Sequence, residues 1–348
     1  MMIEIALWTA GALLFIQFFL LVYILVGKIK FNRFEAKVEQ IYKNILPDYL
    51  SFISGETKYE PRLPKSEKLK KEVLERLLND LADNTANPTE LDQIQFIAET
   101  HLTTIYQKSL SSDGWAYRVN TLYFIEEFKM FGLKEDVWQH LKTLQHEDEE
   151  YRQTLRVLAM FQEDRLIDYM IRQTEMPLGL VKDLFRRFSP TSFSKLVSLL
   201  EGGEDSVPLS LELAFIGYCG ESGNYEFLSL VEKKMEDSRK EIRLKALRSL
   251  CEYQYCSDKS WIKGFFSSEH WEERMYAARL AGIMNLTEYN DDLVFLAGDQ
   301  SWWVRFAACE AINKIPDGEI LLEYVSTQHE DSYARDMAQQ TLTMKGGL

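Results

Sequence analysis

The chain has 348 residues, 46% hydrophobic and 27% charged, the composition of a folded protein with a sizeable core. Its net charge of -14 opposes nucleic acid as a partner, because phosphates would be repelled and the basic residues do not cluster beyond the segment at Lys28, Lys30 and Arg33. Four cysteines (Cys219, Cys251, Cys256, Cys309) include no C-x-x-C pair and read as small buried hydrophobes of a reducing compartment.

In chain order, the first feature is the uncharged run over residues 5–26. At ~1.5 Å per residue a helix of this length spans about 33 Å, enough to cross a hydrocarbon core of roughly 30 Å. It lacks the basic leader, short apolar core and small-residue cleavage site of a signal peptide, so residues 1–27 are predicted to be an uncleaved transmembrane anchor. Lys28, Lys30 and Arg33 follow the run, whereas Glu4 precedes it. The positive-inside rule then predicts a single-pass membrane protein with its body in the cytoplasm.

Phe31, Phe34, Val38, Ile41 and Ile45 step by three and four positions, predicting a juxtamembrane amphipathic helix over 28–53 whose seam packs on the following domain, pairs with a second copy or lies at the lipid surface. Pro47 is expected to interrupt it, with Tyr49, Leu50, Phe52 and Ile53 as a further apolar patch. Residues 54–66, with Gly55, Pro61 and Pro64, read as a linker. An N-terminal helical cap follows over 67–111. Leu69, Val73, Leu77 and Leu81 share one helix face behind a capping Ser66, and Asn87-Pro88 opens a second helix with Ile94, Ile97, Ala98, Leu102 and Ile105 on its apolar side. No run alternates with period two, so the fold is predicted to be all-α.

Over 112–348 the sequence repeats. Arg243, Arg274, Arg305 and Arg335 recur at steps of 31, 31 and 30, each followed three positions later by alanine (Ala246, Ala277, Ala308, Ala338). A period of this size marks stacked supersecondary units. Arg118 and Arg152 sit in the same frame. Lys182 and Leu211 fill the two degenerate positions between, at steps of 30, 29 and 32.

These features resemble the HEAT repeat family, in particular its short repeats, which are also found in bilin-lyase-type proteins. The matching features are the turn acids Asp237, Glu269, Asp299 and Asp331, the arginine four to six positions later, and the small residue after it. The resemblance implies antiparallel helix pairs stacked into a right-handed α-solenoid, whose second helices line a concave face. Within it, Arg243, Arg274, Arg305 and Arg335 with Asp237 and Asp299 read as a structural ladder, each acid near a helix N-terminus receiving the arginine of an adjacent repeat.

Trp115, Trp271 and Trp302 each lie three positions before a repeat arginine, and Trp303 adds a second indole. Trp and Arg dominate binding hot spots, so these four indoles are the candidate binding residues if exposed; the alternative is that they pack against the preceding helix. The histidines form no metal-ligand spacing. His146 and His329 begin His-Glu-Asp triplets in repeat turns, His270 occupies a similar turn, and His101 and His140 stand alone. The run Glu147-Asp148-Glu149-Glu150 reads as a solvated helix start, and Gly202-Gly203 as a loop. No residue pattern carries catalysis, a metal or a cofactor.

The sequence therefore predicts a membrane-tethered cytoplasmic scaffold, not an enzyme. It would bind a protein partner with a basic patch, a membrane or envelope-assembly enzyme for example, through its solenoid surface. The alternative is a ligand-binding accessory or lyase-like protein of the bilin-lyase type.

Overall fold

The computed structural model describes residues 2–145, 147–173, 176–202 and 207–345. His146 and Gly203 lie outside them. Among the described residues all regular structure is helical, and the chain divides into two compact units, Met1–Phe161 and Gln162–Leu348. The division falls inside the stretch read as one repeat array.

The first unit contains α1 (Met2–Ile53), α2 (Glu67–Asn84), α3 (Pro88–Leu110), α4 (Trp115–Glu127), α5 (Lys134–Leu141) and α6 (Glu149–Met160). Helix α1 runs through Pro47 without a break. The missing N–H removes one intrahelical bond, but Tyr49 and Ile53 beyond it are buried against the body, and that packing carries the helix on. The predicted seam does dock. Val38 is fully buried, Tyr42 donates to Asp80 at 2.6 Å, and Arg76 bridges Glu35 and Glu39, each at 2.8 Å. Phe31 and Leu50 remain exposed. The apolar face of α2 is wider than predicted, with Leu74 and Leu78 buried beside Val73, Leu77 and Leu81. Ser66 occupies the N-cap of α2 but makes no side-chain capping bond, whereas Asn87 accepts from Thr89 N–H at 3.1 Å ahead of Pro88.

The second unit contains α7 (Asp164–Arg172), α8 (Leu178–Phe185), α9 (Ser194–Glu201), α10 (Leu209–Ser222), α11 (Leu228–Lys233), α12 (Lys240–Tyr253), α13 (Ser260–Phe266), α14 (Trp271–Ile283), α15 (Asn290–Leu296), α16 (Trp302–Lys314), α17 (Gly318–Gln328) and α18 (Ser332–Lys345). Odd-numbered helices precede even-numbered ones as the first and second members of helix pairs. The second helices pack successively on one another, from α8 to α18. Ala246, Ala277, Ala308 and Ala338 are fully buried at these contacts, where a small side chain lets the helix axes approach. At Gly282 the approach is closer still, since a Cβ there would lie 2.5 Å from Ala311 Cα. Leu247, Leu250, Leu280 and Ile312 fill the core between, each worth about 1.5–3 kcal/mol on burial.

The helix starts correct the register of the degenerate repeats. In every second helix the fourth residue closes the first helical bond onto the N-cap carbonyl. The pairs are Arg118 to Gly114, Arg152 to Asp148, Val181 to Pro177, Glu212 to Pro208, Arg243 to Arg239, Arg274 to His270, Arg305 to Ser301 and Arg335 to Asp331. Val181 and Glu212, not Lys182 and Leu211, are therefore the ladder positions, and Val181, Glu212, Arg243, Arg274 and Arg305 are evenly spaced along the chain. A search for a cation at each position misses this register, because neither Val181 nor Glu212 is one.

Candidate functional site

The turn before each second helix is a small hydrogen-bonded device. Two positions ahead of the N-cap, a side chain accepts the N-cap N–H: Asp237 from Arg239 (2.9 Å), Ser268 from His270 (3.1 Å), Asp299 from Ser301 (2.8 Å) and His329 from Asp331 (3.1 Å). The backbone carbonyl of that same residue accepts Nη1 of the arginine six positions on. Arg243 reaches Asp237 O at 2.9 Å, Arg274 reaches Ser268 O at 2.7 Å, Arg305 reaches Asp299 O at 2.8 Å and Arg335 reaches His329 O at 2.6 Å. Arg118 does the same with Ser112 O at 2.8 Å. Thus Glu269 is not the turn acceptor of its repeat, and Asp331 serves instead as an N-cap, accepting from Ala334 N–H at 2.8 Å.

In four of these arginines the guanidinium also reaches the next repeat. Arg118 forks onto Glu150 (2.6 and 2.8 Å), Arg243 meets Glu273 (2.9 Å), and Arg274 forks onto Asp299 (2.6 and 2.9 Å). Arg305 lies over the Tyr333 ring at 5.3 Å. The two named acids therefore differ. Asp299 receives the preceding repeat's arginine, whereas the Asp237 carboxylate is held by Arg239 (2.9 and 2.8 Å). That pairing, Arg239 first, holds Asp237 below the usual carboxylate range.

Trp115, Trp271 and Trp302 are each the first residue of a second helix. Trp271 is 37% exposed, Trp302 47% and Trp303 53%. Trp302 meets Trp303 edge-on at 4.8 Å and stacks on Phe306 at 5.3 Å, making one aromatic cluster at the start of α16. Trp271 stands on the adjacent helix, α14. Trp115, in the first unit, is 48% exposed and spends its N–H on Asp148 at 2.9 Å.

Two features are absent from the sequence-based expectations. The first is that the helix-start position runs Leu178, Leu209, Lys240, Trp271, Trp302 at the same even step, with both leucines 42% exposed. Counting one repeat length at a time toward the N-terminus from Trp271 finds it. The second is a buried trio in the first unit. Glu150, read as solvated, is 2% exposed and takes both Arg118 and His140 Nε2, the latter at 2.7 Å. Burial pushes His140 below its usual value despite the opposing Glu150 bond. Only the fold brings residues 118, 140 and 150 together. His140 and Arg118 line a cleft of about 630 Å³ with Gln107, Glu135, Asp136 and Gln139.

Cys219, Cys256 and Cys309 are buried and Cys251 is partly so; all are free thiols. Burial pushes Cys251, Cys256 and Cys309 up to about 12, so none is poised as a nucleophile. Among the described residues no three His, Cys, Asp or Glu side chains gather to hold a metal ion. Among the described residues one helix, α1, is long and apolar enough to cross a membrane, and its most apolar stretch is not buried by the protein.

No family model and no curated protein matches the chain. Among solved structures, the complex of CpcE and CpcF of phycocyanin lyase from Nostoc sp. PCC7120 aligns at 13% identity over 69% of this chain and 93% of that one, with a TM-score of 0.29. An engineered protein aligns at 15% identity over 80% and 85%, with a TM-score of 0.34, and another at 16% over 79% and 97%, with a TM-score of 0.22. Likenesses this distant leave function to be argued from the chain's own residues.

Proposed function

We propose that this protein is a membrane-tethered scaffold that captures a protein partner on the aromatic edge of its second unit. The observation that carries the reading is the half-exposed cluster of Trp302, Trp303 and Phe306 with Trp271 on the neighbouring helix. Large amphipathic side chains held by short, rigid turns lose little entropy when covered, which is why such groups dominate binding energy. The ladder arginines Arg274 and Arg305 anchor the turns beside them through Ser268 O and Asp299 O, so the edge is preorganised. Exposed Glu269 and Glu330 flank it, favouring a partner with basic groups around an apolar centre.

The uncovered apolar stretch of α1 supplies the tether. A partner in the same membrane then meets the edge at a raised effective concentration. The basic residues Lys28, Lys30 and Arg33 favour a cytoplasmic body. Crosslinking in native membranes should capture one dominant partner, and Trp271→Ala with Trp302→Ala should abolish the capture. Undiminished capture by the double variant would defeat the edge reading. Cys309 is buried, so topology is better read from an introduced surface thiol, Glu269→Cys. Labelling of that thiol from outside intact cells would overturn the cytoplasmic placement.

A further inference from the structure

Positive charge gathers on one face of the second unit, in a chain whose net charge is -14. On α8, α10 and α12, which pack side by side, Lys182 and Lys245 converge over Gly217. A Cβ at Gly217 would lie 2.5 Å from Lys245 Cε, 2.9 Å from its Nζ and 3.1 Å from Lys182 Cε. The ends of both lysine side chains thus lie over the glycine, in space that a Cβ at this position would contest. Lys182 and Arg186 share Glu221, the latter at 2.8 Å, and Arg248 faces Glu252 at 3.4 Å. Lys245 has no hydrogen-bond or ion-pair partner among the described residues, although it is partly buried. Four cations here meet two carboxylates.

The ammonium of Lys245 feels this excess. Burial first, then Lys182 and Arg248, hold it below the usual lysine range, and the opposing pull of Glu252 and Glu221 is outweighed. An unpaired, partly desolvated cation among like charges is unfavourable in the free protein, and an oxyanion seated beside it would relieve the strain.

We propose that this face docks an acidic segment of a protein partner, with one side-chain carboxylate seated between Lys182 and Lys245 above Gly217. The flanking Arg186 and Arg248 would take further carboxylates. Three packed helices span about 16–20 Å at ~8–10 Å per step, the reach of a short stretch of extended chain. The overall negative charge disfavours a dense polyanion such as nucleic acid, and the interleaved Glu221 and Glu252 leave room only for sparse acids. The proposal extends the partner-binding reading to a second face and rests on that reading for the class of its ligand.

The test uses the full chain in neutral detergent and a fluorescein-labelled peptide with glutamate at every third position, followed by anisotropy. The parent protein is expected to bind this peptide and not its lysine counterpart. Lys245→Met and Lys182→Met should each weaken binding about tenfold, while Lys245→Arg retains it. Lys245→Met should also melt no lower than the parent, because it removes an uncompensated charge, so its loss of binding will not be unfolding. Trp302→Ala must leave the peptide affinity unchanged, which separates this face from the aromatic edge. Equal binding by Lys245→Met, or no binding by the parent, overturns the proposal. Complete displacement of the peptide by millimolar inorganic phosphate would reassign the site to a free phosphate and overturn the protein segment.

Discussion

The repeats at α12, α14 and α16 and the repeat at α10 solve one mechanical problem with opposite charges. In the first set an arginine at the fourth helical position reaches forward to the next repeat: Arg243 to Glu273, Arg274 to Asp299, Arg305 to Tyr333. At α10 the same position is Glu212, 3% exposed, and the next repeat reaches back to it with Lys234 (2.7 Å) and Arg239 (2.8 Å). At α8 it is Val181, fully buried and making no polar link. What the stack fixes is a position facing the next turn. The sign of the charge there is free, provided the partner across the gap is complementary. A search for arginine alone loses the pattern where the rung is inverted.

The strongest way to break this comparison is to make α10 look like its neighbours. Glu212→Arg should place a third cation against Lys234 and Arg239 and destabilise the protein by about 3–5 kcal/mol, measured by chemical denaturation in detergent. An unchanged midpoint would mean the inverted rung is ornamental. Next comes the close approach of α14 to α16. Gly282→Ala drives a methyl into Ala311, and its overpacking is expected to cost about 1–3 kcal/mol in the same assay.

A smaller effect separates structure from binding at the helix starts. Trp302→Ala should lower stability by less than about 1 kcal/mol, because nearly half the residue is already in water. Its effect on partner capture should be greater, on the order of 2 kcal/mol. A melting loss larger than the binding loss would make the indole a packing residue.

The mildest prediction concerns pH in the first unit. His140 has a folded value below its ordinary 6.5, so as acid is added the unfolded chain takes up the proton first. Its contribution to stability is present above about pH 6.5 and declines as pH falls from there toward the folded value. His140→Gln should flatten that acid limb of the melting temperature, and an unchanged slope would place the pH dependence elsewhere.

Much of the architecture was legible because periodicity is a one-dimensional record of stacking. The even step of Arg243, Arg274 and Arg305, the alanine three positions on, and the uncharged run over 5–26 each follow from helix geometry alone. The position of Trp271 and Trp302 at helix starts followed from the same period. Pro47 is where a local signal misleads, because a helix breaker loses to tertiary packing on both sides of it.

That the chain is helical, where its best repeats fall, and that an uncharged helix precedes them are all matters of spacing, and the order of residues settles them. Which charges meet is a matter for the fold. Glu150 joins Arg118 and His140, Asp299 belongs to the repeat before it, and Lys245 is left unpaired over Gly217. Pairing depends on distances across packed helices, where a slip of one position in register exchanges a buried partner for solvent.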